Sequence, residues 1–511
     1  MLIKIGMMVV FFAVLIAVGI MSRKKAKSVD GFVLGGRSVG PWLTAFAYGT
    51  SYFSAVIFIG YAGQFGWKFG LASTWIGLGN AVIGSLLAWV ILGRRTRLMT
   101  HKLQSRTMPE FFAQRFESKS LRIGSSMIIF IFLIPYTASL YNGLSRLFEM
   151  AFHVDYSICI IAMAVLTGIY VIAGGYFATA INDFIQGIIM LIGITAVILA
   201  VLNINGGLMG SVIELANVEG DFPGAFASFF GPAPLELLGV VILTSLGTWG
   251  LPQMVQKFYA IKNEDAIKKG TIISTVFAVI VAGGCYFLGG FGRIFLTSDE
   301  VAEKGFDSII PAMLTSLPDF LIAVVVILVL SASMSTLSSL VLTSSSTLTL
   351  DFIDGVVVKK MKETSKMVCI RILVVVFIAI SAFIALIQYK STVTFIAQLM
   401  GVSWGALAGA FLAPFLYSLY WKRTTKASCW VCFVFGSVLM VLNMLFRGSF
   451  PTLLQSPINC GAFAMLAGFI IVPVVSLISK KPSDKLIDNA FSSYEVPVTV
   501  LSKTVLDQQE D

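Results

Sequence analysis

The sequence predicts an all-α integral membrane protein of about 13 transmembrane helices, organised around two inverted five-helix repeats. Three observations carry that reading. Of 511 residues, 57% are hydrophobic and only 12% charged, and the mean hydropathy of +0.91 lies far above that of soluble domains. Apolar segments of membrane-spanning length recur along the chain, and basic residues gather in alternate connections between them. The net charge of +10 is therefore a topology signal, and no nucleic-acid partner is expected.

Taken in order, the segments lie near 4–22, 40–61, 70–93, 124–148, 155–174, 181–202, 235–255, 270–292, 318–349, 367–388, 393–420, 427–446 and 457–479. The first, IGMMVVFFAVLIAVGI, is followed and not preceded by its basic cluster (Arg23, Lys24, Lys25, Lys27), so it reads as a retained span and not as a signal peptide. Further clusters are Arg94 to Arg122, Lys257 to Lys269, Lys359 to Arg371, Lys422 to Lys426 and Lys480 to Lys485, whereas the connection 203–234 contains no Lys or Arg. By the positive-inside rule this places the N-terminus outside and the C-terminus inside. Residues 1–480 read as one transmembrane domain, with 481–511 as a cytoplasmic tail. A multi-pass plasma-membrane protein is expected, in a bacterial inner membrane, with the lipid bilayer as its surroundings.

Two spans carry breaks. AFAYGTSYFSAVIFIGYAG (45–63) interrupts the second, and LTSLGTWGLPQMVQ (243–256) the seventh, where Gly247, Gly250 and Pro252 weaken the helix or deprive it of a donor. The breaks stand five spans apart and so open two consecutive five-helix units, about 40–202 and 235–420; an odd number of spans gives the units opposite orientation. Interrupted helices at matching places in inverted repeats point to a secondary transporter with its site at the break. A proline kink with packing glycines is the plainer account of either break alone.

Enzyme chemistry is not expected. The two histidines, His101 and His153, stand far apart, the CxxC of Cys429 and Cys432 has no second pair, and no phosphate-binding glycine-rich loop ending in Lys-Ser or Lys-Thr occurs. Instead, the ninth span carries SASMSTLSSLVLTSSSTLTLD (331–351). In a helix, Ala332, Ser335, Ser338 and Ser339 share one face with Thr336 beside it, a compact set of neutral oxygens suited to a small hard cation. A helix broken between Gly49 and Ser54 would add free carbonyls; helix packing is the ordinary role of such hydroxyls. In GGYFATAINDFIQGIIMLIGI (174–194), Asp183 is either a functional carboxylate at membrane depth or an interfacial helix cap.

At these residues the chain resembles the solute:sodium symporter family over nearly its whole length. The resemblance rests on GGR (35–37), TMPEFFAQRF (107–116), GGYFATAINDFIQ (174–186), GLPQMVQKFYA (250–260) and MSTLSS (334–339), in the family's order and spacing. It implies a leucine-transporter-like fold with repeats in spans two to eleven, and sodium as the coupling ion. It also implies a first sodium site made by the hydroxyls of Ser335 and Thr336 with the carbonyls of Ala332, Thr50 and Phe53. A candidate second site corresponds to Asp183, Ser338 and Ser339.

The stretch 135–157 looks most like the sodium/proline symporter branch, with Tyr136 where that branch has a pocket tyrosine. Tyr52 replaces an acidic residue of that branch and Thr248 a tyrosine. A pocket of Tyr48, Tyr52, Tyr136, Thr248, Trp249 and Gln398, without a basic side chain to clamp a dianion, suits a small polar organic solute. The expected function is sodium-coupled symport of such a solute, an amino acid such as proline among the candidates. The alternatives are proton coupling, or pantothenate, monocarboxylate or sugar as solute on the same fold; a channel or sensor is a more distant one.

Overall fold

The structure, a computed structural model, describes residues 2–495 apart from 24–26, 153, 316, 359 and 392–395. Lys24, Lys25, His153, Lys359 and the tail beyond residue 495 lie outside these. The described residues form helices and their connections, with no strand among them. The helices used below are α1 (Leu2–Ser22), α2 (Pro41–Tyr52), α3 (Val56–Lys102), α4 (Lys119–Phe152), α5 (Tyr156–Ile204), α6 (Pro234–Trp249), α7 (Pro252–Tyr259), α8 (Glu264–Ile294), α9 (Asp319–Asp354), α10 (Glu363–Gln388), α11 (Ile396–Tyr420), α12 (Lys426–Leu445), α13 (Pro457–Ile478) and α14 (Asp484–Phe491).

Among the described residues, ten helices are long and apolar enough to cross a membrane, and α6 with α7 forms a further span bent by 41°. Two of the runs are too long for one crossing. The 47 residues of α3 and the 49 of α5 would each reach about 70 Å at 1.5 Å per residue, over twice the hydrocarbon thickness. Glycines divide them. Gly70 (φ 60, ψ −141) and Gly175 (φ 55, ψ −156) hold backbone conformations that L side chains avoid, and each splits its run into two spans. Thirteen crossings result, in agreement with the hydropathy pattern.

Burial sorts the spans into an inner and an outer set. Within the most apolar window of α9, 83% of residues are buried, against 22% in α1, whose Val9, Val10 and Met21 face outward as a lipid-facing helix requires. The hydroxyl-rich helix is thus one of the two most enclosed of these windows, with α11 at 89%. Prolines at the first turn start α2, α6, α7 and α13, where a missing N–H costs nothing. Side-chain caps start others: Asn263 accepts from the Ala266 N–H at 3.0 Å ahead of α8, and Thr425 from Ser428 at 3.2 Å ahead of α12.

The basic connections meet on one face. Arg37 donates to the Ser105 carbonyl at 2.7 Å, Arg97 to those of Ile261 and Lys262 at 2.9 and 2.7 Å, and Arg106 lies 3.8 Å from Asp30. Helix α14, in the tail, folds back on this face. Phe491 lies 5.1 Å from the Arg115 guanidinium, and Tyr494 hydrogen-bonds the Leu419 carbonyl at 3.0 Å. Arg115 is fully buried, which pushes its guanidinium down to about 10.

Helices α3 and α8 touch backbone to backbone. A Cβ on Gly66 would stand 2.0 Å from the Gly289 carbonyl oxygen, and one on Gly289 would stand 2.1 Å from that of Ala62. Gly289→Val is expected to cost about 3 kcal/mol or to prevent folding. Gly283→Ala, whose Cβ meets nothing within 4 Å, should unfold in detergent at the wild-type temperature. Thermal unfolding of the two purified variants checks the contrast.

Candidate functional site

The break in the second span falls at Phe53 and Ser54. Helix α2 ends at Tyr52, Phe53 is extended (φ −103, ψ 101), and helical geometry resumes at Ala55. Carbonyls of the last α2 turn lose their downstream N–H partners there and must find others. Helix α9 supplies them. The Ser335 hydroxyl lies 3.0 Å from the Thr50 carbonyl and 3.1 Å from that of Ala332. The Thr336 hydroxyl lies 3.3 Å from Thr50 O, 3.4 Å from Ser51 O and 3.0 Å from Ala332 O.

Five neutral oxygens from two helices thus converge on one buried spot. Ligand oxygens around a hard cation at roughly 2.3–2.6 Å stand about 3–3.5 Å apart, the spacing found here, so the set fits a dehydrated monovalent cation. Phe53 marks the break itself; both hydroxyls meet the expected Thr50 carbonyl, and Thr336 also meets that of Ser51, which is absent from the expected ligands.

Beside this spot, Asp183 is fully buried, and neither carboxylate oxygen has a hydrogen bond. It lies two turns into its helix and not at an interfacial cap, because the helix resumes at Tyr176 directly after Gly175. Its neighbour is Lys257 on α7, whose Nζ lies 3.8 Å from Asp183 Oδ2 and donates to Ser339 Oγ at 2.9 Å. Ser339 Oγ in turn pairs with Ser51 Oγ at 2.8 Å. Ser338 does not join them; it donates to the Ser335 carbonyl at 2.8 Å.

On the other side of the break lies an aromatic cluster. Tyr48 and Thr248 both donate to the Gly84 carbonyl, at 2.7 and 3.2 Å, and Trp249 donates to Ile83 O at 3.0 Å. Tyr52 donates to Thr244 O at 2.5 Å, while Tyr52 and Tyr136 pack on Trp404 with ring centroids 6.1 and 5.9 Å away. The hydroxyls of Tyr136 and Ser54 and the indole N–H of Trp404 are buried without hydrogen-bond partners among the described residues. These three polar atoms lie close to one another at one aromatic box, with Tyr136 facing Ser54 and Trp404. Gln398 is not brought to this box: Arg447 holds its side-chain oxygen at 3.3 Å, about 9 Å along α11 from Trp404.

With this geometry established, the model of the sodium:solute symporter family matches residues 32–436. The chain belongs to the sodium:solute symporter family. It is 30% identical over 494 residues to sodium/proline symporters of Staphylococcus aureus strains JH9 and COL, covering 93% of this chain and 93% of each relative. Its structure matches that of a sodium-coupled sialic acid symporter in a substrate-bound outward-open state with a TM-score of 0.77 and 16% identity, covering 94% of this chain and 98% of that one. That likeness concerns the fold, which is of the expected leucine-transporter-like class.

In this symporter the residue most consequentially misplaced by sequence reasoning is Lys257. It reads as one more cytoplasmic lysine, and no basic side chain is expected at membrane depth, yet it is 2% exposed. The available signal is its position: α7 begins at Pro252, directly after the break, so its first turns point inward from there. Trp404 was missed because α11 shows no break and an indole in an apolar span is ordinary.

The basic face carries an ion network at the end of α9. Asp351, fully buried, accepts from Arg122 at 2.7 Å and from Thr107 at 2.6 Å, while Glu110 bonds Arg106 at 3.2 Å. In the Thr343–Thr349 run, Thr343 donates to Gln256 at 2.8 Å, and Ser346 bonds back to Leu342 O at 2.6 Å.

Replacing Ser335 and Thr336 together by Ala removes two of the five oxygens. The sodium concentration for half-maximal effect should rise by at least about 10-fold, equivalent to roughly 1.4 kcal/mol of binding. Sodium titration of purified wild type and double variant measures it, and an unshifted curve would remove the site.

Proposed function

We propose that this chain takes up a small organic solute, an amino acid of proline's kind foremost, together with sodium by alternating access. The observation that carries the reading is the convergence of the Ser335 and Thr336 hydroxyls on the carbonyls at the α2 break. The S. aureus relatives favour proline as the solute and a bacterial plasma membrane as the location. The orphaned Tyr136, Ser54 and Trp404 atoms favour a solute with a few polar groups on a compact apolar body. The repeats about 40–202 and 235–420, and the orientation with the N-terminus outside, belong to the same reading.

The mechanism follows from what each contact joins. Sodium among the five oxygens ties α2, in the first repeat, to α9, in the second, and favours an outward-open form that binds solute. Coupling requires that sodium bind this form more tightly than the inward-open one, because equal affinity shifts nothing. Release of sodium into a low-sodium cytoplasm unties α2 from α9. On the basic face, the bonds of Asp351 to Arg122 and Thr107 join α9 to the first turn of α4 and to the loop before it, and would part as that face opens. One charge crossing 100 mV supplies about 2.3 kcal/mol, roughly 50-fold accumulation of a neutral solute before any sodium gradient is added.

Uptake of labelled proline into proteoliposomes, beside other amino acids, pantothenate, monocarboxylates and sugars, tests the proposal. Saturable accumulation of one solute with inward sodium and not with choline is expected. Downhill flux indifferent to sodium, or accumulation driven by a pH gradient alone, would overturn it. For the accumulated solute, Tyr136→Phe should raise KM about 5- to 10-fold, the effect of one lost hydrogen bond to solute. Thermal stability should change little, because that hydroxyl has no well-formed hydrogen bond within the described protein.

A further inference from the structure

Family resemblance offers Asp183, Ser338 and Ser339 as a second sodium site, but the side chains at that place are arranged around a different cation. Lys257 reaches it from α7 with its side chain 3% exposed, against 1% for Asp183. An ammonium has three donors and no acceptor. One donor goes to Ser339 Oγ at 2.9 Å, the Asp183 carboxylate lies 3.8 Å away, and the Tyr176 ring faces the nitrogen at 5.2 Å. Each of these suits a buried positive charge.

From the carboxylate's side the conclusion is the same. Neither Asp183 oxygen accepts a hydrogen bond, and Lys257 is the ion-pair partner the structure gives it. Buried charges persist when paired, and the ammonium at 3.8 Å balances the carboxylate's charge without an added ion. A sodium ion between Asp183 and Ser339 would stand within a few ångströms of the ammonium, in a medium where like charges are weakly screened. Ser338, needed as its third ligand, is turned to the Ser335 carbonyl.

We infer that the Lys257 ammonium is the resident cation of the Asp183–Ser339 pocket, so that this symporter binds one sodium ion, at Ser335 and Thr336, where the same pocket without the lysine would take a second. The inference rests on the sodium-symport reading. It adds a residue that sets the ion stoichiometry. The resident charge also touches the mobile one: Ser51 contributes its carbonyl to the Thr336 contact and its hydroxyl to Ser339, which Lys257 holds.

The test counts bound sodium by equilibrium binding of radioactive sodium to the purified full-length chain, with no solute needed. Wild type should saturate at one ion per chain, and Asp183→Asn should leave that count at one. Lys257→Met should raise it to two, with the extra ion lost again in the Lys257→Met/Asp183→Asn double variant. Lys257→Arg, which keeps a cation in place, should stay at one.

Two ions in wild type, or a Lys257→Met protein that folds and still binds one at pH 8.5, would overturn the inference and leave the first site standing. If Lys257→Met does not fold, the wild-type, Asp183→Asn and Lys257→Arg counts decide, and a fall from two to one in Asp183→Asn would sink it. Absence of bound sodium in wild type would overturn the symport reading itself, and this inference with it.

Discussion

The break at Phe53 and Ser54 is the constraint around which the molecule is arranged. Carbonyls released by a helix inside a membrane have no water to turn to, and each must be met by protein or by an ion. In this chain Ser335 and Thr336 meet them, and their position on α9 explains why that helix is the most enclosed of the spans named above apart from α11. Everything packed around α9, including the lipid-facing helices, keeps a polar contact dry. The cost of the break is thereby converted into a site.

Much of this was legible in the sequence, for identifiable reasons. Thirteen crossings follow from apolar length, and the pairs that run together through Gly70 and Gly175 are still separable because 47 or 49 helical residues exceed any bilayer. The Ser335–Thr336 pair was visible because helical spacing collects hydroxyls on one face. Long-range geometry was not: the added contact of Thr336 with the Ser51 carbonyl depends on the rotation of α2 against α9, which no local pattern encodes. Gln398 shows the reverse error, a polar residue at a promising height that a distant arginine, Arg447, claims. Lys257 was hidden by its own neighbours, since charge counting cannot tell a lysine at the mouth of a loop from one a few residues further that turns inward.

The cation and solute regions share the backbone of α2. Thr50 and Ser51 face α9, while Tyr48 and Tyr52 face the aromatic box, so four or five consecutive residues address two chemistries. Rotation of this short helix, whose ladder ends with the Phe53 N–H on the Gly49 carbonyl, alters both surfaces at once. The shared Gly84 acceptor of Tyr48 and Thr248 adds a second link, joining the two broken spans through a single carbonyl. Coupling in this architecture needs no long pathway, because the elements that bind ion and solute are faces of one turn.

Helix α14 has a consequence for how the molecule can be observed. It bridges parts that alternating access would displace: Phe491 rests on Arg115 in the loop helix Met108–Phe116, and Tyr494 is anchored to Leu419 at the end of α11. Arg95 stacks between Tyr420 and Tyr494, at 4.0 and 4.7 Å from their ring centroids, and closes the same seam. A fluorophore or spin label attached at Glu495 would therefore sit on a natural strain gauge, sensing the basic face without touching the transport path.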